Sequence, residues 1–213
     1  MIPKDRLRQL LERHDAARGA AVLKQTSRGR VTRISFDERG DAVCKEDRGG
    51  GLRSRLGGVF FGTRADRSQR AAALLMGAGF VVPEPLGLLK ADGRTLYFAR
   101  CVDGPTLSLA LDEANPKEAH ALALDAAAFT ARLHDAGFAF RDLKPPNLVV
   151  AESGLVPVDL DDVSRPRRLP KRIAWRNLAA LDAYGQRAAR PLSVRARLAA
   201  LRGYCSNRDL DPR

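Results

Sequence analysis

The longest regular pattern of apolar positions lies in residues 116–134, in the second half of the chain. The apolar side chains recur every three or four residues, at Leu122, Ala126, Phe129 and Leu133. This spacing puts them on one face of a helix, and most residues between them are alanine, the best helix former. We therefore expect a buried helix here, ended by Gly137.

Shorter apolar runs separated by turn residues dominate the first half of the chain. Five of them predict strands, at 20–25, 31–36, 42–45, 86–89 and 95–101. The first three predict a small antiparallel sheet, and the turn at 91–94 makes a hairpin of the last two. Helical spacing predicts two further helices, one amphipathic from Pro3 to Gly19 and one from Thr63 to Met76. The glycine- and arginine-rich stretch 48–62 predicts a mobile loop that contacts a ligand.

Beyond the long helix, the runs 148–150 and 155–158 flank a turn and predict another hairpin. Two more helices are predicted, at 173–185 and 192–203. In the second of these, an apolar stripe stands beside several arginines, and its members are Val194, Leu198 and Leu201. We expect the stripe to pack on the rest of the protein and the arginines to face outward.

These elements predict an α+β fold that forms a single domain of two lobes over residues 1–213. The N-terminal lobe, about 1–101, holds the small sheet and a helix. A hinge at about 102–105 leads to a helical C-terminal lobe, about 106–213. A chain of this length can form two small lobes around a shared cleft.

Charge is concentrated near the C-terminus. Residues 164–213 hold 13 basic and 3 acidic side chains, whereas the remaining 163 residues hold 24 basic and 22 acidic ones. Such a basic C-terminal segment attracts an anionic surface or substrate. The alternative is that it is an ordinary solvated charged face. Three widely spaced cysteines indicate a reduced, cytosolic setting, and no apolar run reaches the roughly 20 residues of a membrane span.

The polar residues between the long helix and the second hairpin carry the candidate chemistry. Asp142, Lys144 and Asn147 lie in the loop 141–147, and Asp159 ends the second hairpin strand. Transfer of a γ-phosphoryl group requires a carboxylate beside the attacking hydroxyl and oxygen ligands for Mg²⁺. We assign Asp142 to the hydroxyl, Lys144 to the moving phosphoryl group, and Asn147 and Asp159 to the metal and nucleotide. The order and spacing match the catalytic loop of protein kinases.

Lys45 ends the strand 42–45, the setting in which a kinase lysine reaches the α- and β-phosphates of ATP. With this lysine, the catalytic loop and several shorter motifs, residues 22–163 resemble the bacterial lipopolysaccharide kinases that phosphorylate Kdo or heptose. The shorter motifs are Gly49–Arg53, Thr63–Arg67, and Gly79 followed by Pro83–Leu86.

This resemblance implies a protein-kinase-like fold, ATP and Mg²⁺ as cofactors, and an anionic lipid-linked sugar as the acceptor. It also implies a cytoplasmic protein that works at the cytoplasmic face of the inner membrane. The basic C-terminal segment suits peripheral contact with that membrane, and we expect no nucleic-acid partner. Only 54 residues follow Asp159 and they hold no Ala-Pro-Glu segment, which favours a small or lipid-linked acceptor over a peptide.

Four features differ from the usual kinase pattern. Ser68 stands where a helix glutamate pairs with the lysine, Phe140 where histidine precedes the arginine, and Asp161 where many kinases have glycine. The fourth is that no Gly-x-Gly-x-x-Gly loop precedes Lys45. Two alternatives therefore stay open: a compact protein kinase of the RIO or related atypical type, and a catalytically degenerate nucleotide-binding pseudokinase.

Overall fold

The computed structural model describes residues 1–16, 19–27, 29–48 and 62–208, and the chain divides into two units. The first unit extends over Met1–Cys101 and the second over Val102–Arg213. The described residues form six α-helices, one five-stranded antiparallel sheet and two short ladders, which confirms the α+β class. Most of the predicted ligand-contacting loop 48–62, including the motif at Gly49–Arg53, lies outside the described residues.

The sheet of the first unit contains every strand that the sequence predicts there. Its strands are β1 (Ala20–Thr26), β2 (Gly29–Asp37), β3 (Gly40–Asp47), β4 (Pro85–Ala91) and β5 (Arg94–Arg100). They lie in the order β1-β2-β3-β5-β4, and each pair of neighbours is antiparallel. The hairpins β1-β2, β2-β3 and β4-β5 follow from their short turns.

A helix covers each face of this sheet. Helix α1 (Lys4–Ala16) buries Leu7 and Leu10 on one face, in a core with Ile34, Cys44 and Phe98. Helix α2 (Arg64–Gly77) packs on the other face, where its Ala65 meets Tyr97 and Ala99 of β5. Burial alternates along β3 because one set of its side chains faces α1 and the other set faces α2.

Four helices form most of the second unit: α3 (Leu107–Glu113), α4 (Pro116–Asp135), α5 (Lys171–Arg187) and α6 (Val194–Asn207). Helix α4 is the predicted buried helix. It starts at a capping box in which Asn115 and Glu118 each bond the other's backbone N–H. The short helix α3 was not predicted, and Thr106 caps it. Within the described residues, no helix is long and apolar enough to cross a membrane.

The prediction of which face of α6 packs against the protein is wrong. Val194, Leu198 and Leu201 are 66%, 46% and 37% exposed. The helix instead buries Tyr204 and Cys205 against alanines of α4, because small side chains at that surface allow a close approach. The prediction that all its arginines face outward also fails, since Arg197 is bound to Asp182 of α5 over 2.5 and 2.8 Å.

Two short ladders complete the second unit. Strand β6 (Ala139–Phe140) pairs with β9 (Val163–Ser164), and β7 (Leu148–Ala151) pairs with β8 (Gly154–Pro157) as the predicted second hairpin. The backbone before α3 lies close to β7. Gly104 has a φ of +130°, and a Cβ there would stand 2.1 Å from the carbonyl oxygen of Val150. Glycine is therefore required at this contact.

Candidate active site

Two backbone hydrogen bonds hold the loop 141–147 beside the turn 158–162. At one end the N–H of Arg141 donates to the carbonyl of Asp162 over 3.3 Å, next to the β6-β9 ladder. At the other end the N–H of Val158 donates to the carbonyl of Asn147 over 3.0 Å, just beyond the β7-β8 pairs. Because both ends are fixed, the polar loop residues lie next to the turn that carries Asp159.

Asp142 is held in the loop by two neighbouring side chains. The ammonium of Lys144 lies 2.8 Å from its carboxylate oxygen Oδ2. The amide nitrogen of Asn147 donates to the same oxygen over 3.1 Å and to the backbone carbonyl of Asp142 over 2.9 Å. Within the described residues no donor reaches the other carboxylate oxygen, Oδ1. The contacts of Oδ2 therefore fix the orientation of the Asp142 carboxylate, and Oδ1 can accept a proton.

The same contacts determine which way the amide of Asn147 points. Both of its partners on Asp142 are acceptors, so the amide nitrogen must face them. The amide oxygen is thereby directed away from Asp142. It accepts no hydrogen bond from the described part of the chain, and it can serve as a neutral ligand.

Lys144 stays protonated at neutral pH. Its hydrogen bond to Asp142 raises the pKa of Lys144 above its ordinary value, and burial lowers it by less. The negative charges of Asp142 and Asp159 raise the pKa of Lys144 further. The positive charge of Lys144 therefore lies within the influence of Asp142, the predicted catalytic carboxylate, and of Asp159, the predicted metal ligand.

The donor set suits Mg²⁺ bound together with phosphates. Asp159 precedes the 3-10 helix Leu160–Asp162, and its half-buried carboxylate and the amide oxygen of Asn147 are hard oxygen donors. Searched over the described residues, the chain has no group of three or more His, Cys, Asp or Glu side chains that could hold a metal alone. Mg²⁺ commonly takes one or two carboxylates and completes its shell with phosphate oxygens and water.

A buried chain of hydrogen bonds supports the residue that precedes the loop 141–147. Asn177 of α5 donates its amide N–H to the carbonyl of Phe140 over 2.8 Å, and its amide oxygen lies 3.0 Å from Nε2 of His134. Nε2 must therefore carry the proton, and Nδ1 accepts from the hydroxyl of Tyr204 over 2.8 Å. The Tyr204 oxygen in turn accepts from Arg208 over 2.6 Å.

Sequence reasoning did not assign this chain of hydrogen bonds. Each member is buried or half-buried, and together they connect α4, α5 and α6 to the residue before Arg141. One signal was available in the sequence: Asn177 occupies the position one turn after Ile173 on the buried face of α5. A polar residue at an apolar position indicates a buried hydrogen-bonded group.

Lys45 belongs to the first unit, whereas the other predicted site residues belong to the second. It lies opposite Val31 and Tyr97 in the sheet, so it shares the sheet face on which α2 packs. Ser68 of that helix is buried. Asp66, the nearest acid on α2, accepts from the N–H and the hydroxyl of Thr63 over 2.8 and 2.7 Å in a capping box.

Comparison with known protein families and with curated proteins finds no match for this chain. The assignment of a function therefore depends on the residues and contacts described above.

Proposed function

We propose that this protein is an ATP-dependent phosphotransferase of protein-kinase-like fold that phosphorylates a sugar hydroxyl of the lipopolysaccharide inner core, on Kdo or heptose. One observation carries the proposal: the two backbone bonds at Arg141 and Asn147 bring Asp142, Lys144, Asn147 and Asp159 together. The four residue types and their order are those that phosphoryl transfer requires.

In this proposal Asp142 acts on the acceptor hydroxyl. Its Oδ2 is held by Asn147 and Lys144, so the carboxylate cannot rotate freely. Its Oδ1 accepts the hydroxyl proton as the oxygen attacks. A fixed base of this kind typically raises the reaction rate by a factor of about 10² to 10⁴.

The remaining residues handle negative charge. Lys144 neutralises charge on the phosphoryl group, Asn147 and Asp159 hold Mg²⁺ through their oxygens, and Lys45 binds the α- and β-phosphates. When bound, ATP and Mg²⁺ supply the phosphoryl group and the charge that neutralises its oxygens.

The sugar acceptor rests on the resemblance to lipopolysaccharide kinases and on the charge of the second unit. Inner-core sugars are anionic and lipid-linked, and the region from 164 onward is strongly basic. A cytoplasmic enzyme that works at the inner face of the inner membrane fits both features, because basic residues near an anionic bilayer hold a protein there.

A catalytically degenerate nucleotide-binding protein is the second candidate, and α2 favours it. The helix position where kinases carry a glutamate for the lysine holds the buried Ser68, and Asp66 is bound in the helix cap. Serine in place of that glutamate favours a protein that binds nucleotide and transfers little phosphate, because the glutamate helps to assemble the active site of kinases.

A transfer assay separates these candidates. The purified protein is incubated with γ-labelled ATP and Mg²⁺, with and without inner-core lipopolysaccharide that lacks its phosphates, and EDTA serves as the control. Label on the acceptor supports the sugar kinase, and label on the protein alone favours a protein kinase. ATP binding by calorimetry without any transfer indicates the degenerate protein.

A further inference from the structure

An apolar groove of about 390 Å³ lies in the second unit between α3, α4, α5 and α6. Its walls include Leu122 of α4, Trp175 and Leu178 of α5, and the apolar stripe of α6, which is Val194, Leu198 and Leu201. The volume lies within the range of pockets that hold small ligands. Pro145, the neighbour of Lys144, lines the same groove, so the groove extends to the candidate catalytic loop.

The groove leaves large apolar side chains in contact with water. Trp175 and Val194 are each 66% exposed, and Leu198 and Leu201 stand beside them on α6. A contiguous exposed apolar surface of this kind is typical of a binding site. Tryptophan at such an edge is also the residue that prefers the boundary between water and lipid.

Positive charge surrounds the groove. Arg195 and Arg202 each follow a groove residue of α6 by one position, about 100° further round the helix, and both are exposed. On α5, the exposed Lys171 lies one turn before Trp175, and the exposed Arg172 directly follows Lys171.

Acidic groups at the groove are few. Among the described residues that line the groove, Asp182 is the only acid, and Arg197 neutralises it. Asp112 of α3 and Asp125 of α4 each lie next to a lining residue and are exposed. The exposed cations therefore outnumber the exposed acids along the helices that form the groove.

We propose that this groove binds one acyl chain of an anionic membrane lipid, with the lipid phosphate near Arg195 and Arg202. The apolar walls take the chain, and the arginines select the anionic headgroup. This lipid site does not depend on phosphotransfer, and it can be tested without ATP.

Trp175 gives a direct readout, because it is the single tryptophan of the chain. The protein is titrated with phosphatidylcholine vesicles that contain or lack phosphatidylglycerol, at low and at high salt. We expect a blue shift of the fluorescence with the anionic vesicles alone, and its loss at high salt. Phosphatidylglycerol brominated on its acyl chains should quench the fluorescence, since Trp175 then contacts the chain.

Three double variants separate the parts of the proposal. Leu198→Asn with Leu201→Asn, at exposed positions, should keep salt-dependent adsorption but lose most quenching by brominated chains. Arg195→Gln with Arg202→Gln should weaken binding about 30-fold, from about 1 kcal/mol per basic residue. The control, Arg167→Gln with Arg168→Gln, loses the same charge at exposed positions that are not next to a groove residue, and it should bind more tightly than that variant.

Several results would overturn the lipid site. Equal binding to neutral and anionic vesicles, or an absence of quenching in the wild-type protein, contradicts it whether or not the variants fold. Unchanged quenching in the leucine variant contradicts it as well. A blue shift that depends on protein concentration without vesicles shows that a second copy covers the groove, and this also overturns the proposal.

Discussion

The amide nitrogen of Asn147 lies 3.1 Å from the carboxylate oxygen Oδ2 of Asp142. Replacing Asn147 with aspartate removes this donor and places a second carboxylate against the first, and two adjacent carboxylates do not both ionise readily. We expect Asn147→Asp to lower the transfer rate at neutral pH by about 10² or more. The measurement is kcat for labelled phosphate transfer.

Asn115→Asp is the matched control for this change. It adds the same charge at an exposed helix cap, where aspartate also caps well. Equal losses in the two variants would show that the added charge acts on the whole protein and not on Asp142.

Asp159 and Asp161 compete for the role of metal ligand. We expect Asp159→Ala to abolish Mg²⁺-dependent nucleotide binding, because the proposed site then keeps only the neutral oxygen of Asn147. Asp161→Ala should retain that binding. Calorimetric titration with ATP, in the presence and absence of Mg²⁺, measures both; the reverse ranking of the two variants would move the metal site to Asp161.

The hydrogen bonds behind the loop should stabilise the second unit. Asn177→Leu leaves the Phe140 carbonyl and the His134 N–H buried without partners, and each unpaired group costs about 1–3 kcal/mol. Urea unfolding measures the change in the free energy of unfolding. The exposed Asn207→Leu should change it by about 0.5 kcal/mol at most; a similarly small change for Asn177→Leu would refute the supporting role.

Acid should weaken the folded state through the buried histidines. Burial lowers the pKa of His134 below its ordinary 6.5, against a smaller rise from its bond to Asn177, and burial lowers the pKa of His14 in the same way. The unfolded chain therefore binds more protons, so stability is complete above about pH 6.5 and is lost as the pH falls through the lowered values.

Unfolding free energies at several pH values between 7.5 and 5 test this linkage. The substitution His134→Gln should reduce the slope of the unfolding free energy against pH. The reduction is at most about 1.4 kcal/mol per pH unit, which is the contribution of one proton. The half-exposed His120 of the same helix provides the control variant, His120→Gln. Equal slopes in the two variants would contradict the role given to His134.

Most elements could be predicted from the sequence, because their signals are local. The alanine-rich spacing of α4, the alternation and turns of the sheet, and the hairpin that ends at Asp159 each depend on neighbouring residues. The packing of α6 could not be predicted in this way. Its leucine stripe is the more hydrophobic face, yet Tyr204 and the small residues of α4 decide the contact.

The candidate site could likewise be predicted only in part from the sequence. The motif order identified Asp142, Lys144, Asn147 and Asp159, and the two ladders bring them together. The sharing of one Asp142 oxygen by Lys144 and Asn147 depends on loop geometry, which the sequence does not encode locally. The hydrogen bonds from Tyr204 to Phe140 join residues far apart in sequence, so the local pattern can indicate that Asn177 is a buried polar group but cannot predict its partners.

The central claim is that Asp142 accepts a proton from the acceptor hydroxyl during phosphoryl transfer. The most direct measurement compares wild type and Asp142→Asn for transfer of labelled phosphate from ATP to the lipopolysaccharide acceptor, with ATP affinity measured in parallel. We predict a fall in kcat of about 10² to 10⁴ with ATP binding nearly unchanged, because the carboxylate faces the hydroxyl and is not a phosphate ligand. Equal transfer rates in the two proteins would contradict the account.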